Sequence, residues 1–400
     1  MDTSVLTTDR AVFERLGRQG LIIGIVCLIA GAVGGFFSPD QFLPAWLIGY
    51  MFCLGLSMGC LAMLMIQHMS GGQWGLIARR IFEAGSRVLP YCLLLFIPLA
   101  LTLPHLYLWA RPEAVAADHV LQLKAPYLNV PFALIRAAIY YIVWLGCMYY
   151  LNQWSSGQDR GEVAITAADT RRFRVVSAPG LILYVVLMTF ASIDWIMSLE
   201  PHWYSTVFGF IMVCGQGLGA LALAAAVLAM LAPHEPMKTY LRPTAIHDIG
   251  KLTLAFVMLW AYMAFSQFLI IWAGNLPEEI PYYLLRMRSG WQYVSILIIV
   301  GHFALPFSLL LSRDLKRHPH LLARVALFIL AMRLVDLIWM IAPNFNQSGF
   351  PVHWLDVVVP LGLVGIWVYL FSGQLAKWPL VPFNDPYWKE NFVHGEHAAH

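Results

Sequence analysis

The sequence predicts an all-α integral membrane protein with about ten transmembrane helices. Hydrophobic residues make up 60% of the 400 residues, charged residues only 12%, and the mean hydropathy is +0.68. Because soluble domains are about half apolar and a quarter charged, a water-soluble fold of this length could not bury so much apolar surface. The net charge of +3 gives no reason to expect nucleic acid as a partner, so the lipid bilayer is the expected surrounding.

Ten apolar stretches are long enough to cross a bilayer, which takes roughly 20 residues. They are Gly20–Phe37, Leu43–Met65, Val88–Leu106, Val130–Leu151, Ser177–Leu199, Tyr204–Leu231, Ile249–Trp272, Trp291–Ser312, Leu321–Ala342 and Leu355–Leu375. The first stretch is short and follows Arg10, Arg15 and Arg18, a pattern that signal peptides also show. Since acidic residues dilute this basic region, we expect an uncleaved first helix.

An internal similarity indicates how the helices are grouped. Val186–Met197 and Leu330–Ile341 each carry a Met, then an Asp, then a Trp and a Met, and both helices run in the same direction. We expect two four-helix bundles with one flanking helix at each end. The corresponding divisions are residues 1–41 (N-terminus and first helix), 42–202 and 203–343 (the two bundles), and 344–400 (last helix and tail).

Loop charges predict the orientation. Of the 25 lysines and arginines, 17 fall on the side of the N-terminus and 4 on the opposite side, with the rest inside helices. The 17 are Arg10, Arg15, Arg18, Arg79, Arg80, Arg87, Arg160, Arg171, Arg172, Arg174, Lys238, Arg242, Arg313, Lys316, Arg317, Lys377 and Lys389. Positive charge marks the cytoplasmic side, so we expect both termini in the cytoplasm.

Four segments outside the predicted helices also have an expected form. Trp74–Ala84 alternates apolar residues with arginines, which predicts an amphipathic helix on the membrane surface. His105–Asn129 and Ala273–Gly290, on the outer side, contain aromatic residues and prolines and are expected to be structured. The tail after Lys377 is expected to be irregular, with terminal histidines that are solvated rather than metal-binding.

Ionisable residues inside the membrane are costly and are therefore functional candidates. The candidate proton-path residues are Asp194, Asp336, His302, Arg136, Arg333, Glu200, His202, Lys251, Gln216 and Gln267. At 1.5 Å per residue, Asp194, Arg136 and Asp336 lie roughly 8–9 Å below the outer boundary. His302 and Gln216 lie nearer the midplane.

Two interpretations of these residues stay open. In the first, Asp194, Asp336 and His302 form the centre of a proton path, with Glu200 and His202 at its outer mouth and Lys251 at its inner mouth. In the second, the same groups only neutralise one another. The pairs would then be Arg136 with Asp194, and Arg333 with Asp336.

Motifs for metal or redox cofactors are missing from the sequence. None of the six cysteines forms a CxxC or a haem-attachment motif, and of the 13 histidines only His302 lies deep in a predicted helix. We therefore expect no haem, no iron–sulfur cluster, no bound metal and no catalytic residue in this chain, whereas quinone binding stays open.

Four segments resemble a known family. Ser177–Ser205 (SAPGLILYVVLMTFASIDWIMSLEPHWYS), Phe265–Glu279 (FSQFLIIWAGNLPEE), Gly301–Arg317 (GHFALPFSLLLSRDLKR) and Tyr127–Arg136 (YLNVPFALIR) are similar to the second quinone-binding-type membrane subunit of bacterial alternative complex III. That complex is a quinol:cytochrome c oxidoreductase, and the subunit belongs to the polysulfide-reductase membrane-subunit superfamily. The resemblance covers the predicted helices four to nine.

The resemblance implies a location and partners. It implies a subunit of the bacterial inner membrane without its own redox centre, beside a sister membrane subunit, an exoplasmic iron–sulfur subunit and c-type cytochrome subunits. It leaves open whether this chain binds quinone or translocates protons. A secondary transporter and a purely structural membrane subunit are the alternatives that the sequence also allows.

Overall fold

The computed structural model describes residues 10–161, 167–346 and 352–388, and within them the side chains of residues 10 and 167–169 are left aside. Among these residues are ten helices long and apolar enough to cross a membrane, and no β-strand. The helices are α1 (Arg10–Phe37), α2 (Pro39–Ser70), α3 (Gln73–Leu101), α4 (Val130–Asp159), α5 (Ala167–Trp195), α6 (Phe208–Leu231), α7 (Pro243–Gly274), α8 (Trp291–Leu311), α9 (Pro319–Ile341) and α10 (Leu355–Lys377). The predicted fold class, an all-α integral membrane protein, is confirmed.

Helices α2 and α6 form the centre of the bundle and are almost completely buried. α2 packs against α3, α5, α6 and α10, and α6 packs against α5, α7 and α9. Gly59 lets α2 and α6 approach closely, because a Cβ atom there would lie 2.7 Å from the carbonyl carbon of Gln216. Small residues commonly allow such backbone contacts between membrane helices.

The two flanking helices, α1 and α10, pack against each other along most of their length. A Cβ atom on Gly365 would lie 2.6 Å from the backbone of Gly24, so the two backbones touch. The rest of α1 is largely exposed, as expected of a helix that faces lipid. The residue divisions of the two bundles stay a prediction.

The prediction of a surface helix at Trp74–Ala84 is wrong. This segment begins α3, which a turn at Arg87 and Val88 divides into Gln73–Ser86 and Leu89–Leu101. Arg79 and Arg80 are only 1% and 3% exposed. The polar face of the segment is turned towards α4 and the C-terminal tail instead of solvent, and buried acidic partners make that burial tolerable.

Those partners form an ion cluster at the end of the bundle where α1 begins. Glu83 binds Arg79 Nε at 2.9 Å and Arg80 Nη1 at 2.6 Å. Arg79 Nη1 also binds Asp385 at 2.5 Å, and Arg80 pairs with Asp159 at the end of α4. Three separate parts of the chain are therefore held together by charge.

The described part of the tail is irregular apart from a short helix, Pro386–Trp388, as predicted. It is nevertheless packed against the bundle, since Val381 and Trp388 are buried. Asn384 Nδ2 donates to the carbonyl of Gln158 at 3.0 Å, beside the Asp385–Arg79 ion pair. The terminal histidines lie beyond the described residues.

We call the opposite end of the bundle, where α1 ends, the outer end, because the loop charges predict that it faces away from the cytoplasm. The expected structure in its connections is confirmed by short helices at Leu103–Leu106, Pro112–Ala117, His119–Lys124 and Pro281–Arg286. Tyr107 donates to the carbonyl of Trp195 at 2.9 Å, and Trp109 Nε1 donates to Ser198 at 3.0 Å. These bonds fix the α3–α4 connection on the end of α5.

Candidate functional site: buried charges of the membrane helices

Arg136 and Asp194 form a two-pronged ion pair between α4 and α5. Arg136 Nε and Nη2 donate to the two carboxylate oxygens of Asp194, each at 2.9 Å. The hydroxyl of Tyr140 donates to Asp194 Oδ2 at 2.8 Å. Both charged side chains are buried. The carboxylate of Asp194 thus accepts three strong hydrogen bonds, and such geometry fixes the two helices relative to each other.

The remaining face of Arg136 is also in contact. Its Nη1 donates to the carbonyl of Tyr127 at 2.8 Å, and its guanidinium carbon lies 3.8 Å from the centre of the Tyr127 ring. Phe132 covers another side at 4.5 Å. Because hydrogen bonds and cation–π contacts surround the charge, this ion pair resembles a closed structural clamp. The sequence predicted the pair but gave no indication of the tyrosines.

The second ion pair, Arg333 with Asp336, lies within one helix, α9. Arg333 Nη1 donates to Asp336 Oδ2, three residues further on, and Nη2 lies 3.7 Å from the sulfur of Met212. Gly215 on α6 makes room for the guanidinium, because a Cβ atom there would lie 2.7 Å from both of its terminal nitrogens. Among the described residues, Asp336 accepts this one strong hydrogen bond, whereas Asp194 accepts three.

His302 lies in a π-helical segment of α8, Ile298–Ala304. Its side chain is completely buried, and neither ring nitrogen has a hydrogen-bond partner among the described residues. The ring contacts Trp260 of α7 edge-on, with 4.2 Å between ring centres. Buried polar groups are nearly always paired, so two unpaired nitrogens in one imidazole form an exception that calls for an explanation.

The π-helical segment was missed at the sequence level, although Pro306 is a signal for it. The N–H of Leu305 donates to the carbonyl of Val300, which is the i→i+5 pattern of a π-turn. A proline two residues into the following turn has no N–H to donate, so the regular ladder is already interrupted there. Such π-turns are frequent at functional sites.

Gln216 joins the second ion pair at a small internal cavity. It accepts a hydrogen bond from Tyr184 at 2.7 Å, and its Nε2 lies 3.2 Å from the sulfur of Met188. Together with Arg333 and Gly55 it lines a cavity of about 10 Å³. That is space for about one water molecule, and Gln216 and Arg333 are the polar side chains in an otherwise apolar lining.

Gln267 and Glu200 lie at the outer end. Gln267 accepts from Ser205 at 2.8 Å and donates to Tyr283 at 3.3 Å. One oxygen of Glu200 lies 3.9 Å from Arg286 Nη1, too far for a hydrogen bond. Burial raises the pKa of Glu200, and the nearby positive charge of Arg286 only partly opposes it.

The other two candidates are peripheral. Lys251 pairs with Asp248 at 3.0 Å, and both side chains are exposed. His202 Nε2 lies 2.7 Å from Asp118, with the histidine exposed and the aspartate half-buried. Salt bridges of this exposed kind contribute little to stability and enclose no site.

The candidates therefore fall into separate groups. In the described residues no hydrogen bond or ion pair joins the Asp194 clamp to the Asp336 pair. Within the same ranges no three His, Cys, Asp or Glu side chains are arranged to hold a metal ion. A comparison with known protein families and with curated proteins finds no match. The class of the chain, a multi-pass helical membrane protein, rests on the ten helices themselves.

Proposed function

We propose that this chain is a membrane subunit of a quinol:cytochrome c oxidoreductase of the alternative complex III type. In this proposal it transfers protons but no electrons. Electrons would pass through the partners that the sequence resemblance implies: a sister membrane subunit, an exoplasmic iron–sulfur subunit and c-type cytochrome subunits. The resemblance of α4–α9 to that family supports the partners, and the buried polar groups support the proton role.

The observation that carries the proton role is the unpaired imidazole of His302. Both of its nitrogens lack partners among the described residues. A neutral imidazole has one nitrogen that accepts a proton and one that donates, so it can pass a proton from one side to the other. The coupling residue would be Asp336, on the neighbouring helix α9.

The two aspartates have different roles in this proposal. Protonation of Asp194 would break the pairing with Arg136 and disturb the bond from Tyr140, which leaves a buried cation behind. Among the described residues, the strong hydrogen bond that Asp336 has to release is the one from Arg333. Asp194 therefore acts as a structural clamp, and Asp336 with His302 carries the proton.

Glu200 extends this route towards the outer end. Its raised pKa makes proton exchange easier near neutral pH than for an ordinary glutamate, and one of its oxygens has no hydrogen-bond partner among the described residues. It lines a cavity of about 10 Å³ with Tyr282 and Asn344, again space for about one water molecule. Water in this cavity would connect the carboxyl group of Glu200 to the membrane helices.

Purification of the tagged chain from its native membrane tests the assignment to a complex. The proposal expects c-type haem absorbance and iron–sulfur signals in the purified complex, and neither signal in the chain separated from its partners. A chain that purifies alone and takes up solute when reconstituted in vesicles would be a transporter, and the proposal would then be wrong.

A further inference from the structure

A wide cavity lies at the outer end of the bundle, among the described residues and apart from the buried ion pairs. Its volume is about 870 Å³. Its walls come from the junction of α1 and α2, from the connection after α3, and from the residues that follow α9. Apolar side chains such as Phe42, Leu106 and Leu108 form most of the lining. Cavities of this size and composition are typical of binding sites for small molecules.

The cavity lies at the ends of membrane-length helices, where lipid headgroups are expected. α1 ends at Phe37, α2 begins at Pro39 and α3 ends at Leu101, so the lining starts where three membrane-length helices stop. Phe36, Phe37 and Leu101 beside it are highly exposed. These side chains suit contact with acyl chains, so a lipid could enter from the side.

Two opposite charges belong to the lining, Arg111 and Asp40. Arg111 is fixed by hydrogen bonds from its Nε to the carbonyl of Pro104 at 2.6 Å and from its Nη2 to the carbonyl of His105 at 3.0 Å. Its Nη1 has no hydrogen-bond partner among the described residues. Asp40, in the first turn of α2, also lines the cavity, and its carboxylate has no partner in the same ranges. A guanidinium suits a phosphate, and a carboxylate suits an ammonium group.

We propose that this cavity binds one aminophospholipid molecule, with its phosphate on Arg111 and its ammonium group on Asp40. A headgroup with both charges, such as that of phosphatidylethanolamine, matches both side chains. An anionic headgroup without the amine, such as that of phosphatidylglycerol, would be repelled by Asp40. A quinol has neither charge. The proposal does not depend on the proton path or on the proposed complex, although Asn344 lines both this cavity and the small one at Glu200.

Native mass spectrometry of the full chain tests this proposal. Phosphatidylethanolamine should be retained about tenfold better than phosphatidylglycerol, since the absence of one charge-assisted hydrogen bond typically weakens binding by about one order of magnitude. Asp40→Asn should abolish this preference, and Arg111→Gln should weaken retention of both lipids. The matched controls are Glu278→Gln and Arg288→Gln, exposed charges in another outer segment that do not line the cavity.

Equal lipid retention in the variants and the unchanged chain would overturn the proposal. So would a preference for phosphatidylglycerol, or displacement of the lipid by added quinol. A second measurement needs no variant: a photoactivatable phosphatidylethanolamine with its reactive group in the headgroup should label the segment around Leu106–Leu108. Labelling spread evenly over the outer segments would also contradict a specific lipid-binding site in this cavity.

Discussion

Replacement of Asp194 by Asn tests the structural clamp. The substitution keeps the size of the side chain but removes the charge that balances Arg136. Two hydrogen bonds of 2.9 Å change from charged to neutral acceptors, or are broken. A buried charge left without its partner typically costs about 3–5 kcal/mol. Because Arg136 keeps the carbonyl and the ring of Tyr127, we expect the lower end, about 3 kcal/mol.

Reversible unfolding of the purified chain in mixed micelles measures this cost. A loss of about 3 kcal/mol corresponds to a folding equilibrium constant that falls by about two orders of magnitude. The double variant Arg136→Gln/Asp194→Asn removes both charges and should be more stable than the sum of the single losses predicts, by about 1–3 kcal/mol. The control is Asp248→Asn, which breaks the exposed pair with Lys251 and should cost less than about 1 kcal/mol. A cost below about 1 kcal/mol for Asp194→Asn, or strictly additive losses, would refute the clamp.

Three further predictions concern other parts of the molecule. Gly59→Ala should destabilise the bundle by about 1–3 kcal/mol because its Cβ meets the backbone of α6, whereas Gly55→Ala, with 3.5 Å to its nearest atom, should be nearly neutral in the same unfolding assay. Asp385→Asn should free the tail from Arg79, so limited proteolysis should cleave between Trp378 and Trp388 faster than in the unchanged chain; an equal rate would contradict the ion-pair anchor. Burial raises the pKa of Glu200 in the folded protein, so the free energy of unfolding should fall as pH rises from the ordinary value of 4.5 through the raised value. Glu200→Gln should make the free energy of unfolding depend less on pH, and an unchanged pH profile in this variant would contradict the raised pKa of Glu200.

Much of the fold can be predicted from hydropathy, because a bilayer forces every spanning segment to be long, apolar and helical. All ten predicted stretches overlap a membrane-length helix. The segment Trp74–Ala84 was misinterpreted because alternating charge looks the same whether it faces solvent or a buried partner. The partner of Arg79 is Asp385, 306 residues later, and nothing in the local sequence indicates that contact.

The candidate site was predictable only in part, for a similar reason. Deep charges stand out in an apolar helix, so both ion pairs were found as candidates. What separates them is the number of hydrogen bonds, and these come from residues far away in sequence, such as Tyr140, 54 residues from Asp194. The exposed position of Lys251 depends on the rotation of its helix and that of His202 on the path of a turn, and neither can be derived from the local sequence.

The central claim is that Asp336 carries protons while Asp194 only holds helices together. It is tested by proton release per quinol oxidised, measured in the assembled complex with the double variant Arg333→Gln/Asp336→Asn. This variant leaves no unpaired buried charge, so poor assembly should not obscure the result. We predict normal assembly with proton release impaired, while the corresponding variant Arg136→Gln/Asp194→Asn, once assembled, releases protons normally. Normal proton release in the assembled Arg333→Gln/Asp336→Asn complex would contradict the claim.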